Sequence, residues 1–341
     1  MAPMLEAVAR YLRAMRDCSY ACGLVRHMRL SRLALLAVLV LVFSASIQFH
    51  RLPAAYAAPA ASRSYYEHNV STSALYDQGC SEAGTGHSGV AILDFGRPAY
   101  DSSTGAYGTV DFDGHFVQNS SILDATESYA KGWFHCKTSN TQWVQIARGT
   151  TNNCKTGTGC SGNTVPNANT AGEYWGQRVN DLNSYISAQG GANQQEGTGA
   201  FDAEPKWDTG YTSTGDFRYS YNNNTGHPLY DYGSAEPGYW TNDQLWKVSY
   251  EGDDYPFPEV YGCCHSGQIS DWLNVDDWAK ANNKGYYVEG VTNDYNSGST
   301  CNSSYTADDA WTNTLARIQN DSNAYYQATI PDLTRLPCGT S

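Results

Sequence analysis

Short apolar runs alternate with longer amphipathic stretches along most of this chain. Val90–Phe95 (VAILDF), Trp143–Arg148 (WVQIAR), Ala200–Glu204, Pro228–Tyr232, Pro258–Tyr261 and Tyr286–Val291 have the length and residue types of strands. Between them, apolar residues recur at helical spacing. Ile122–Phe134 is one such segment. Ala171–Ala188 is the clearest, with Tyr174, Val179, Leu182 and Ile186 on one face. Another helix opens at Trp240-Thr241 with Thr241 as N-cap, and Ile269–Ala281 follows. Thr306–Ile318 begins with Thr306 and Asp309 in capping-box order. Strand–helix alternation of this kind predicts an α/β fold with a parallel sheet and crossover helices. Six strands are legible where a (β/α)8 barrel has eight. The irregular stretches 97–120 and 206–227 are expected to hide the others or to form loops over a site.

The N-terminal part has a different texture. Arg26, Arg29 and Arg32 precede the apolar run Leu33–Phe43, and Ala55-Tyr56-Ala57 follows as a small-x-small cleavage site. The run falls short of the roughly 20 apolar residues of a membrane span. Residues 1–57 therefore read as a signal peptide with an extended basic segment, and 58–75 as a flexible lead-in. Residues 76–341 read as one domain of the size of a (β/α)8 barrel. Secretion is the expected localisation, with no stable membrane span after cleavage and a monomer as the expected state. Cysteine usage agrees. Outside the leader stand Cys80, Cys136, Cys154, Cys160, Cys263, Cys264, Cys301 and Cys338, an even set that suits disulfides in an exported chain. Cys154 and Cys160 enclose a short Gly-rich loop and are expected to pair. Adjacent Cys263 and Cys264 are expected to go to different partners.

Charge narrows the partners. The leader holds seven arginines and two acids, so without it the formal charge falls from −13 to −18. Such a surface disfavours nucleic acid and anionic membranes. With 26 Tyr and 9 Trp, the chain has aromatic faces suited to sugar rings. No metal motif and no cofactor motif is present. Gly84–Gly89 and Gly157–Gly162 match GxGxxG but open no helix, and no GxSxG occurs.

The candidate chemistry stands at the strand ends, where parallel α/β folds place their sites. Asp94 ends the first run, Arg148 the second, and Asp202 and Glu204 the third. Tyr230 and Tyr232 end the fourth and Glu259 and Tyr261 the fifth, while Tyr287 and Glu289 belong to the sixth. Side chains alternate along a strand, so Asp202 and Glu204 share a face. Neighbouring carboxylates push their pKa values apart, which yields the acid and ionised partner that glycosidic cleavage needs. A non-catalytic ligand site, or a structural network tying both carboxylates to Arg148, fits the same residues.

Phe201-Asp202-Ala203-Glu204-Pro205 resembles the Asp-x-Glu strand of muramidase lysozymes built on an irregular (β/α) barrel. It is also similar to that of secreted bacterial glycoside-hydrolase-like barrel proteins of unassigned activity. Ala91–Gly96 resembles their first strand, and Asp77–Cys80, Ile146–Asn152 and Phe201–Pro205 resemble further blocks. The resemblance implies a (β/α)8-like TIM-type barrel, irregular and disulfide-stapled, with Glu204 as proton donor and Asp202 and Asp94 as acidic companions. Together these readings predict a glycoside hydrolase acting on a polysaccharide or cell-wall glycan. Glu259 or Glu289 would be its second carboxylate, and Arg148, Tyr230, Tyr232, Tyr261 and Tyr287 would position sugar. The alternative is a non-catalytic extracellular carbohydrate-binding or envelope protein on the same scaffold.

Overall fold

Strand–helix alternation begins earlier in the chain than the apolar runs suggest. The computed structural model describes residues 57–86, 88–151, 165–206, 210–295 and 305–337. The stretch expected to be a flexible lead-in instead supplies β1 (Ser62–Arg63) and β2 (Tyr65–Tyr66), and it runs into α1 (Thr72–Gly84). Then come β3 (Gly89–Asp94), β4 (Arg97–Asp101), β5 (Ala106–Val110), β6 (Phe116–Gln118), α2 (Asn119–Cys136), β7 (Val144–Thr150), α3 (Ala168–Ala188) and β8 (Gln195–Phe201). The second half holds α4 (Tyr211–Asn224), β9 (Leu229–Asp231), α5 (Asn242–Ser249), β10 (Asp254–Pro256), α6 (His265–Ala281), β11 (Gly290–Tyr295), α7 (Ala307–Asn320) and β12 (Asp332–Pro337). Among the described residues no helix is long and apolar enough to cross a membrane.

Six parallel strands run in the order β10-β9-β8-β7-β3-β2, and a second parallel set runs β1-β12-β11. Two links join the sets. At one edge the single extended segment 62–66 serves both, because β1 pairs with β12 and β2 with β3. Ser64 between them donates its amide to the Arg335 carbonyl at 2.8 Å, and its hydroxyl meets that of Thr334 at 2.6 Å. At the other edge Glu259 bridges Thr292 of β11 in parallel. There the Thr292 amide donates to the Pro258 carbonyl at 2.9 Å, and the Val260 amide to the Thr292 carbonyl at 2.8 Å.

Alternation sorts the strand side chains into two layers. Val90, Ile92, Ala147, Ala200, Tyr230, Tyr232 and Phe257 pack together on one face. Ala91, Leu93, Ile146, Phe201 and Leu229 pack on the other, among the helices. Helix α2 contributes Ile122, Tyr129 and Trp133 to that outer layer, all fully buried. Each such side chain is worth roughly 1.5–3 kcal/mol of apolar burial. Helices α1 and α2 approach so closely that a Cβ on Gly79 would lie 2.2 Å from the Tyr129 carbonyl oxygen. The Cys80–Cys136 disulfide ties this pair of helices.

Two irregular stretches resolve differently from one another. Residues 97–118 form the antiparallel sheet β4-β5-β6, an excursion from the end of β3, and 211–224 form α4. Neither adds a parallel strand. The parallel strands that sequence missed are β1, β2, β10 and β12, and the expected strand 258–261 is reduced to the single Glu259–Thr292 bridge beyond β10. The caps it located are present: Thr241 and Thr306 each close a capping box, with Gln244 and Asp309. Cys263 and Cys264 bring their sulfurs near each other. Cys154, Cys160, Cys301 and Cys338 lie outside the described residues, as does the expected Cys154–Cys160 pairing.

Candidate active site

At the carboxyl ends of the parallel strands, Asp202, Glu204 and Glu259 converge. Each offers an oxygen within 4.8 Å of the other two. Their placement follows from the backbone. β8 ends at Phe201, but the Asp202 amide still donates to the Thr150 carbonyl at 2.9 Å, which continues the ladder. The Ala203 amide then donates to Asp231 Oδ1 at 3.3 Å. Gly233 makes this possible, because a Cβ there would lie 2.3 Å from the Ala203 carbonyl oxygen. Asp231 also accepts from the Gly233 amide and from the Ser249 hydroxyl. It is therefore a buried brace that fixes the 202–204 segment from the helix side. Asp202 and Glu259 are 7% and 5% exposed, and Glu204 is half-buried at the mouth.

Three tyrosines close on these carboxylates. Tyr261 donates its hydroxyl to Glu259. Burial first, then the charge of Glu259, holds the Tyr261 phenol well above its ordinary range, so it stays a donor. Tyr66 is raised for the same reasons, with burial followed by the charges of Glu259, Asp202 and Asp94, and it bonds to Tyr261. Tyr232 is buried, bonds to Asp94, and reaches the Thr150 carbonyl at 3.2 Å. Asp94 completes the set at the end of β3. Burial pushes its carboxyl up to about 7, opposed by the Tyr232 hydroxyl and by the Gly96 amide, which donates to Oδ1 at 2.8 Å. The β5–β6 turn overhangs this end, where Phe112 lies 4.8 Å from the Tyr66 ring.

Asp94, Asp202, Glu204, Tyr232, Glu259 and Tyr261 are thus placed together, while four other candidates are not. Arg148 occupies the opposite face of β7. It is fully buried, stacks on Trp175 at 3.9 Å, and donates to Asn119 Oδ1 at 2.8 Å. The alternation that aims Ala147 and Gly149 at the inner layer aims Arg148 at the helices. Tyr230 points to the other end of the strands, where its hydroxyl donates to Gln145 at 2.8 Å. Glu289 precedes β11, since the strand begins at Gly290 and not at Tyr286. Three residues along a strand is about 10 Å, and Glu289 stands that far before Thr292, the partner of Glu259. Tyr287 lies beside it, raised by burial and by Glu289. Sequence missed Tyr66, which sits in the expected lead-in. Its only signal was the aromatic pair Tyr65-Tyr66.

The three carboxylates have the donor set of a hard divalent cation. The same set suits acid–base chemistry on a neutral, hydroxyl-rich substrate, with tyrosine donors fixed around it.

No protein-family model matches this chain, and no curated protein matches it. Among solved structures, an endo-1,4-β-mannanase from Eisenia fetida is similar at 13% identity, over 76% of this chain and 87% of that one, with a TM-score of 0.30.

Proposed function

We propose that this protein is a secreted glycoside hydrolase. Its parallel strands close a (β/α) barrel through the 62–66 segment and the Glu259–Thr292 bridge. The observation that carries the reading is the convergence of Asp202, Glu204 and Glu259 within 4.8 Å under Tyr66 and Tyr261. Carboxyl groups about 5–5.5 Å apart are those of retaining enzymes, whereas inverting enzymes need roughly 6.5–9.5 Å for an intervening water. Glu204 and Glu259, each offering an oxygen within 4.8 Å of the other, are assigned the retaining roles.

In the proposed mechanism, half-buried Glu204 gives its proton to the glycosidic oxygen. Glu259, oriented by the Tyr261 hydroxyl, attacks the anomeric carbon as the carbon–oxygen bond breaks. Glu204 then takes a proton from water, whose oxygen displaces Glu259 from the sugar. Asp202 sits beside both and disfavours early loss of the Glu204 proton, as neighbouring carboxylates do. The substrate class is a polysaccharide, with a cell-wall glycan the reading that the Asp202-x-Glu204 resemblance favours.

The test is a screen of neutral polysaccharides and peptidoglycan with the mature protein, followed by proton NMR of the first-formed anomer on any substrate cleaved. Retention of configuration supports Glu259 as nucleophile, and inversion overturns that assignment. Sugar binding without cleavage across the whole panel overturns the hydrolase and supports a carbohydrate-binding protein.

A further inference from the structure

Residues 97–118 leave the parallel frame at the end of β3, form the antiparallel sheet β4-β5-β6, and return to the frame through α2. The tip of that excursion, the β5–β6 turn, is built to hold one side chain in place. The Asp111 carboxylate is buried, and its Oδ1 accepts from the Asp113 amide at 3.0 Å and from the His115 amide at 2.8 Å. The Gly114 amide donates to the Asp111 carbonyl at 3.0 Å, and Gly114 takes φ +87°, which glycine adopts without strain. Gly96 seats the turn on the end of β3, since a Cβ there would lie 2.1 Å from the Val110 carbonyl oxygen. Phe112 stands at the tip so fixed, 38% exposed.

Single exposed apolar residues are common on protein surfaces, so position decides the reading of Phe112. Its ring lies 4.8 Å from that of Tyr66 and 5.7 Å from that of His68. Tyr66 in turn bonds to Tyr261, the donor to Glu259. One phenol ring therefore separates Phe112 from the hydrogen bonds that orient Glu259. A pyranose is of similar size, so a sugar seated on Phe112 is the neighbour of one seated between the carboxylates. The edge of this platform is polar. His68 Nδ1 donates to Asp113 Oδ1 at 3.1 Å, and the Asp113 side chain is 52% exposed, which opens its carboxylate to a sugar hydroxyl. An aromatic face beside a hydroxyl acceptor matches a pyranose, which offers C–H bonds on its face and hydroxyls round its rim. Charge selects against an acidic sugar, because Asp113 joins Asp94, Asp202, Glu204 and Glu259 at this end of the strands.

We propose that Phe112, with Asp113 and His68 at its edge, is a subsite for a neutral pyranose adjoining the Glu204–Glu259 centre. The proposal rests on the hydrolase reading for what happens to the neighbouring sugar, while binding at Phe112 is measured without cleavage.

The test is isothermal titration calorimetry on the Glu204→Gln protein, with cellopentaose, mannopentaose and N-acetylchitopentaose as neutral probes and pentagalacturonate as the acidic one. Phe112→Ala, Phe112→Leu, Phe112→Trp and Asp113→Ala are then added singly, each checked by circular dichroism. Leucine still covers Tyr66 but offers no ring face, and tryptophan offers a larger one. At least one neutral probe binds, and pentagalacturonate does not. Phe112→Ala and Phe112→Leu each weaken that probe about tenfold, the scale of one aromatic contact. Phe112→Trp binds it at least as well as Phe112 does, and Asp113→Ala weakens it severalfold. Failure of every neutral probe, equal binding of pentagalacturonate, or full binding by Phe112→Leu overturns the proposal. Full binding by Asp113→Ala overturns the part given to Asp113. The protein with Glu204 intact separates the two readings. A bound probe left uncut, its binding still dependent on Phe112, sinks hydrolysis alone, and cleavage with binding indifferent to Phe112 sinks the subsite alone.

Discussion

The two ends of the parallel strands carry the same kinds of side chain and organise them differently. At the carboxyl ends Asp202, Glu204 and Glu259 face one another, with Tyr261 donating to Glu259 and Tyr66 bonded to Tyr261. At the amino ends Glu196 is matched to His227 at 2.9 Å and to Gln145 at 3.0 Å, and Tyr230 closes the chain on Gln145. Glu196 is held below the ordinary carboxylate range, first by the His227 hydrogen bond. A carboxylate with a matched partner is a structural element. Carboxylates aimed at one another, with neutral donors that fix their geometry, keep mutual repulsion that a substrate or proton relieves. This difference, more than the number of acids, locates the site. Glu289 and Asp332 form the intermediate case at the amino end, where Asp332 is raised to about 7 by burial and then by Glu289.

Several substitutions would break or sharpen this contrast. The largest effect is expected at Glu259, where Glu259→Gln removes the nucleophile and should lower hydrolysis by at least about 10²–10⁴-fold with the fold kept. Single-turnover assays with circular dichroism check it. Tyr261→Phe deletes only the hydroxyl on Glu259 and should reduce kcat about tenfold or more with little change in KM, the sign of a group that positions another.

Asp332 tests the amino end through stability. Its folded pKa of about 7 lies above the unfolded value near 4, so the folded state binds the extra proton. Stability from this group is full below about pH 4 and declines as pH rises towards 7. Asp332→Asn should flatten that decline and stabilise the protein at pH 8 by about 2 kcal/mol, after allowing for partial solvation. Urea titrations at pH 4 and pH 8 measure it. An unchanged slope would mean that Glu289 and Asp332 share their proton differently.

Much of this frame was legible along the chain. Caps at Thr241 and Thr306 declared themselves because a hydroxyl and an acid or amide three residues on complete a local bond pair. Asp202, Glu204 and Glu259 declared themselves as polar groups closing apolar runs. The face of Arg148 did not. β7 is buried on both sides, so its sequence carries no alternation to read, as with central parallel strands generally. Glu289 was misread because Tyr286 and Val288 are buried and look like a strand. Instead the Val288 amide and carbonyl are satisfied by the Gln327 side chain, and pairing begins later. Tyr66 was invisible for a third reason. Two-residue strands have no period, and only their tertiary partners make them strands.

The most direct test of the account compares one carboxylate from each end. Glu204→Gln and Glu289→Gln are both nearly isosteric, and reducing-end release from the best polysaccharide substrate reads them side by side. The account predicts that Glu204→Gln loses nearly all activity while Glu289→Gln matches wild type. Equal loss in both, or activity that depends on Glu289 and not on Glu204, would contradict it.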